Sequence, residues 1–165
     1  MDLHLDPVDD GVLTRTLGQW ERRLADLAPA FAAVYEDFKR IEAERFDSEG
    51  PGWQPLAAST IARKLRLGQP ETILEATGRL RASLAEAGAG SIKRDEGDAL
   101  FMGSDVPYAH WHQTGGTTPG RPPQRIAVHI PEAGRVRWAT ILARYLAHGE
   151  ISAVTASIGA GPGGL

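Results

Sequence analysis

The feature that most constrains the fold is a long apolar stripe in the first quarter of the chain. Its members are spaced by threes and fours, which places them on one face of a helix. They are Leu13, Leu17, Trp20, Leu24, Leu27, Phe31, Val34, Phe38 and Ile41. Pro29 lies within the stripe, and proline lacks a backbone N–H and clashes with the preceding turn. We therefore predict a kink near Ala28, or two helices that meet there with Pro29 in the first turn of the second.

Two interpretations of this stripe are open. In the commoner arrangement, it is the face that packs on the domain's own sheet. In the other, the helix is shared with a neighbouring subunit. Under either interpretation, Leu24→Asp is expected to bury an unpaired charge at a cost of several kcal/mol.

The rest of the chain predicts an α+β fold, in which helices pack on a small, mostly antiparallel sheet and a helix ends the domain. Short helices are expected at residues 56–67 and 77–87, with Arg63, Lys64 and Arg66 facing outward. The last helix carries Trp138 to Tyr145 and ends at Gly149. A β-hairpin with a polar turn at residues 95–98 is predicted, with further strands at residues 3–6 and 126–130. We expect residues 1–150 to form a single domain, followed by a Gly-rich tail at 151–165, and residues 114–123 to form a mobile loop.

Composition limits the classes of protein to which this chain can belong. The chain has 165 residues and no cysteine, which excludes disulfides and thiolate metal sites. No apolar run approaches the roughly 20 residues of a membrane span, and the first residues do not resemble a signal peptide, so cytoplasmic synthesis is expected. The net charge of −3 argues against a tight, sequence-independent grip on DNA, although it leaves open a role in lining a DNA passage.

Four short blocks carry a resemblance to a known family. The first contains Arg45-Phe46 and Trp53-Gln54-Pro55-Leu56, followed by Thr60 and Lys64, and the second runs from Leu74 to Ser83. The third joins Gly103-Ser104-Asp105-Val106-Pro107-Tyr108-Ala109 to His112-Gln113-Thr114-Gly115, and the fourth is Pro123-Gln124-Arg125. Together they resemble the Mu-like phage virion-morphogenesis (tail-completion) proteins over roughly residues 13–146. Two positions depart from that pattern: Ala57 stands where the family has a helix-capping Ser or Thr, and Ile126 begins a segment where it has Pro-Phe-Leu.

The resemblance implies a structural virion protein that is made in the cytoplasm of a bacterial host. Such proteins lie at the head-proximal end of the tail or in the neck, where they form rings that help to join the tail to the head. The expected partners are further copies of the chain in a hexameric ring, other neck and tail-tube or terminator proteins, and DNA passing through the channel. A DNA-contacting head–tail connector or packaging accessory is the alternative. The candidate interface residues are Trp53, Thr117, Thr118, Arg121 and Arg125, although the commoner role for a tryptophan such as Trp53 is an anchor in the core or in a loop.

The residues that could carry chemistry do not form a recognisable catalytic or cofactor motif. His110 and His112 have a spacing that could offer two ligands to a metal only on an extended chain, and a zinc site would need more. Ser104 is not in a nucleophile elbow. The glycines of residues 115–121 do not form a phosphate-binding loop. We therefore predict no enzymatic activity, no cofactor and no required metal.

Overall fold

A computed structural model describes residues 10–116 and 121–151 of the protein, and in it Pro29 divides the apolar stripe into two helices. Helix α1 spans Asp10–Ala25, and α2 spans Ala28–Asp47 with its proline in the first turn. The predicted meeting of two helices at this point is confirmed. Proline is favoured in the first turn of a helix because the N–H that it lacks has no intrahelical partner there.

The remaining elements are short, apart from the last helix. They are α3 (Ala58–Arg66), α4 (Arg79–Ala85), β1 (Ser91–Asp95), β2 (Leu100–Ser104), α5 (Ala109–Thr114) and α6 (Glu132–His148). Strands β1 and β2 pair antiparallel, with Ser91 opposite Ser104 and Asp95 opposite Leu100. This mixture of helices with a small antiparallel sheet and a C-terminal helix confirms the predicted α+β class. Gly149 ends α6 in the left-handed conformation, as its position predicted.

Helix α2 is the centre of the fold because it contributes to both hydrophobic clusters. One cluster joins it to α4 and to the loops that carry Trp53, Ile73 and Val106. The other joins its first two turns to Ile141 and Tyr145 of α6. Helix α3 begins at Ala58 without a side-chain cap, in line with the alanine at position 57.

Residues 126–130 are not a strand, so that prediction is wrong. Their polar backbone groups are bonded by side chains from other elements instead of by a neighbouring strand. The Gln113 amide accepts a hydrogen bond from the Val128 N–H and donates one to its carbonyl. Trp53 Nε1 donates to the Ile126 carbonyl, and Arg45 donates to the His129 carbonyl. These side-chain bonds take the place of a partner strand at four backbone groups of the segment.

Some predicted features fall outside the described residues. These are the strand at residues 3–6, Thr117 and Thr118 of the loop, and the Gly-rich tail beyond Ile151. Among the helices that the structure describes, none is long and apolar enough to cross a membrane.

A candidate assembly surface

Helix α1 presents its apolar side chains to solvent. Leu13, Leu17, Trp20 and Leu24 are each about half exposed, with Leu24 at 59%, and α1 has no buried residue. The interpretation in which the stripe packs on the domain's own sheet is therefore wrong for α1, and the buried stripe residues of α2 pack mainly on helices α4 and α6. Leu24→Asp would consequently bury no charge in the free subunit. Contiguous exposed apolar side chains of this kind mark interaction surfaces.

Polar contacts tie the C-terminal end of α1 to α6. The Arg23 guanidinium donates to the carbonyls of Leu146 and Ala147 at 2.8 Å, which places a cation at the C-terminal end of α6. The Tyr145 hydroxyl donates to the Asp26 carbonyl at 2.7 Å. These contacts fix one end of α1 against α6 and leave its apolar face uncovered.

Trp53 and Arg125 join the first and fourth resemblance blocks. Trp53 is 8% exposed and packs edge-on against Phe46, while its Nε1 donates to the Ile126 carbonyl. Gly50 makes room for this indole, since a Cβ there would lie 2.2 Å from the ring. Arg125 is 7% exposed, and its Nε and Nη2 donate to the Gln54 carbonyl at 3.0 and 2.8 Å. Both side chains hold loops together within the subunit, and an interface role for either stays a prediction.

Lys64 is buried, contrary to the outward orientation predicted for the basic residues of α3. Its ammonium group donates to the carbonyls of Thr72 and Glu75, at 2.6 and 3.1 Å. Burial lowers the pKa of Lys64 and the nearby Arg125 adds to this, while Glu75 and Glu49 oppose it. The lysine thus joins the first resemblance block to the second. The methylene chain of a lysine can be buried when backbone carbonyls accept hydrogen bonds from its ammonium group.

Basic side chains line a cleft of about 1000 Å³ between α3 and residues 121–125. Its cationic residues are Arg63, Lys64, Arg66, Arg121 and Arg125, and Glu75 is the one acidic residue among the described residues that line it. The carboxylate of Glu75 is already engaged, since Arg81 lies 2.9 Å away and the Thr72 hydroxyl donates to it at 3.0 Å. The cleft therefore carries uncompensated positive charge. Arg121 and Arg125 were among the interface residues predicted from the sequence. Arg63 and Arg66 were not, because they belong to no recognisable motif.

Arg121 and the two histidines lie near the same cleft. The Arg121 guanidinium stacks on Trp111, 3.4 Å from the ring centre. His112 is half-buried, and its Nδ1 has no hydrogen-bond partner in the described part of the chain. Burial lowers the pKa of His112, and the charge of Arg125 adds to this effect. His112 is therefore a neutral group at pH 7, beside a cationic surface.

The histidine pair lies on helix α5 instead of on an extended segment. Residues two apart on a helix point in different directions, so His110 and His112 do not converge on one point. No group of three His, Asp or Glu side chains suited to a metal ion occurs among residues 10–116 and 121–151. That the protein requires no metal stays a prediction.

Comparison with known proteins identifies the class of protein to which this fold and its exposed surfaces belong. The model of the phage virion morphogenesis family matches residues 8–146. The match covers well over half of the 165 residues, so the chain belongs to the phage virion morphogenesis family, as the four blocks predicted. The protein thus has a role in the structure or assembly of a phage particle. Comparisons with curated proteins and with solved structures gave no match.

Proposed function

We propose that this chain is a structural subunit of the head-proximal end of a phage tail, where a ring of copies completes the tail and helps to join it to the head. The observation that carries this proposal is the uncovered apolar face of α1 in a member of a virion-assembly family. A helix that keeps four large apolar side chains about half exposed in the free subunit is suited to burial in an assembly.

A second copy is the occupant that we assign to this face. The described surface also exposes Leu65 and Leu67 at the end of α3, at 57% and 61%. Two different apolar surfaces of identical chains can form a heterologous contact, and such a contact closes into a ring when its rotation divides a full turn. The ring would encircle a passage for DNA, and its six-fold symmetry is an expectation from the family resemblance.

We further propose that the protein acts without catalysis. A buried polar cluster in the described part of the chain is structural: Asp37 is fully buried and accepts hydrogen bonds from Arg40, Arg137 and Trp138 Nε1. This cluster ties α2 to α6 and lies in neither the basic cleft nor the α1 face. Its neighbours are arranged to hold a carboxylate ionised, which suits a tie between helices better than proton transfer near neutral pH.

A DNA-contacting connector is the second candidate, and the basic cleft is the observation that favours it. Arg63, Arg66 and Arg121 could receive phosphates there. The overall charge of −3 weighs against this candidate, because binding to duplex DNA depends on a surplus of cations.

Electron microscopy of particles made without this protein separates the two candidates. The tail-completion proposal expects DNA-filled heads beside tails that fail to join or have abnormal ends. Empty heads beside normal tails would favour the connector candidate. Normal, infectious particles would contradict both.

A further inference from the structure

We propose that the basic cleft receives the acidic turn of the β-hairpin, residues 95–98, from a neighbouring copy of the chain. This inference rests on the proposed ring, and it adds a charged contact between copies to the apolar contact of the α1 face. The turn does not line the cleft of its own chain, so the two surfaces are available to join successive copies.

Among the described residues, Glu75 is the one carboxylate that lines the cleft, and it is already paired with Arg81. Arg63 and Arg66 are exposed and have no ion pair among the described residues. Arg125 is buried at the same cleft, and the bonds that it makes are to the carbonyls of Gln54 and Pro55 instead of to a carboxylate. Burial without a carboxylate lowers the pKa of Arg125, and a buried cation is costly unless it is paired. An incoming carboxylate would offset this cost.

The hairpin turn supplies carboxylates on a preformed projection. Asp95, Glu96 and Asp98 are all exposed, and Asp98 has no bonded partner in the described part of the chain. The Gly97 N–H donates to Asp95 Oδ1 at 2.9 Å, and Gly97 has a φ of 88°, which is accessible to glycine. The turn is therefore shaped before any partner arrives, which limits the entropy lost on binding.

The dimensions of the two surfaces are compatible. Paired strands lie about 5 Å apart, so a hairpin turn is a narrow projection. The cleft has a volume of about 1000 Å³, and Leu56 and Pro123 contribute apolar walls to it. Glu96 forms an ion pair with Arg94 at 2.8 Å, but both side chains are at least half exposed. Replacing this ion pair by one with an arginine of the neighbouring copy would therefore cost little free energy.

In the proposed ring this contact is head-to-tail, because each copy places its turn in the cleft of one neighbour and receives the turn of the other. Repetition of such a contact gives a ring if the rotation closes and a filament if it does not. An isologous dimer would instead bury the same surface on both partners. The acidic turn and the basic cleft therefore predict polymeric association, with charges that also set the direction in which copies join.

Cross-linking can test this contact because the natural chain contains no cysteine. Ser59→Cys places a thiol in the cleft, and Ala99→Cys places one beside the turn. A short bis-maleimide linker applied to a concentrated mixture of the two single variants is expected to give dimers that contain one copy of each. The chain with both substitutions is expected to give a ladder of trimers and larger species. Dimers formed equally well by each single variant alone, or no ladder, would overturn the proposal.

Charge reversal provides the second arm of the experiment. Arg63→Glu with Arg66→Glu is expected to abolish the ladder, and adding Glu96→Lys and Asp98→Lys to the same chain is expected to restore it. Arg144→Glu, an exposed position on α6, is the matched control and should leave the ladder unchanged. A ladder that survives the first reversal, or is not restored by the second, would contradict the proposed contact.

Three further outcomes identify which part of the proposal would be wrong. Binding of duplex DNA that falls steeply with salt and is lost in the Arg63→Glu, Arg66→Glu chain, without a ladder, would assign the cleft to nucleic acid. If particles without the protein show the joining defect but the charge-reversed chain still completes tails, the hairpin contact is wrong and the proposed function stands. If those particles are normal, the function itself is wrong.

Discussion

At the scale of single residues, Asp37 shows how a fully buried charge can be kept in a small protein. Burial alone would raise its pKa, but hydrogen bonds from Arg40, Trp138 and Arg137 outweigh this effect and hold the pKa below its ordinary value. Two helices meet at this one carboxylate, since Arg137 and Trp138 belong to α6. Its contribution to stability is therefore present above the ordinary pKa of an aspartate and is lost as the pH falls through the lowered value.

We predict that Asp37→Asn lowers the free energy of unfolding by about 2–4 kcal/mol, because it removes the buried charge with which two half-buried arginines pair. Urea unfolding at neutral pH measures this loss. Glu36→Gln is the matched control: its exposed carboxylate pairs with Lys39, and its loss should change stability by about 0.5 kcal/mol or less. Equal effects of the two substitutions would show that the buried cluster does not stabilise the junction of α2 and α6.

Glu42 is the opposite case, because its environment favours the neutral form. Burial raises its pKa from 4.5 to about 7, against the opposing charge of Arg45, whose Nε lies 3.6 Å from the carboxylate. The folded chain therefore holds this proton more tightly than the unfolded chain does. Stability from this group is present below about pH 4.5 and is lost as the pH rises towards about 7.

We predict that Glu42→Gln gains stability relative to the natural chain as the pH rises from 5 to 8, by up to about 3 kcal/mol. Glutamine has no proton to lose, so the difference between the two melting curves isolates this carboxyl. Differential scanning calorimetry across that pH range measures it. Parallel curves would indicate that Glu42 titrates with an ordinary pKa in the folded chain.

At the scale of helices and strands, the sequence correctly predicted the features that depend on residues close together in the chain. Pro29 set the boundary between α1 and α2, and the polar turn at residues 95–98 marked the hairpin, because both depend on nearby backbone chemistry. The same stripe could not reveal that α2 is buried and α1 exposed. Periodicity reports that a face is apolar, and it does not report whether the chain's own core or a neighbour covers that face.

Contacts distant in sequence account for the remaining errors at this scale. Residues 126–130 have the composition of a strand, yet side chains from Gln113, Trp53 and Arg45 bond their backbone groups. The sequence predicted that Lys64 faces solvent with the other basic residues of α3. Its ammonium group instead donates hydrogen bonds to the carbonyls of Thr72 and Glu75. The basic cleft was missed for the same reason, since its arginines come from segments about 60 residues apart in sequence.

The α1 face leads to a prediction about this element alone. Leu17→Asp with Leu24→Asp should leave the free subunit folded, because both side chains are more than half exposed. The same substitutions should abolish self-association and tail completion, since they would place charges in an apolar interface. Circular dichroism and cross-linking measure the two effects separately. Leu84→Asp, at a side chain that is 1% exposed, is the contrasting control and should unfold the chain.

At the scale of the whole molecule, the surfaces divide into an apolar helix, a basic cleft and an acidic turn. A chain with a net charge of −3 and with complementary patches repels its copies weakly and aligns them in one direction. Such a surface suits association that is weak in solution and strengthened when several copies meet a symmetric template. The tail end is that template in the proposed function, because a ring that closes on it gains every contact at once.

We therefore predict that the purified subunit is monomeric or weakly associated, and that it forms a closed ring when tails lacking this protein are added. Sedimentation velocity measures the free state, and cryo-electron microscopy of the mixed sample measures the state on the tail, where six-fold symmetry is expected from the family resemblance. Salt should weaken the free association, since the cleft and the turn attract through exposed charges that ions screen. The Arg144→Glu chain serves as the control that should assemble normally. A stable ring in the absence of tails would contradict templated assembly, and failure of the natural chain to bind tail ends would contradict the tail-completion function.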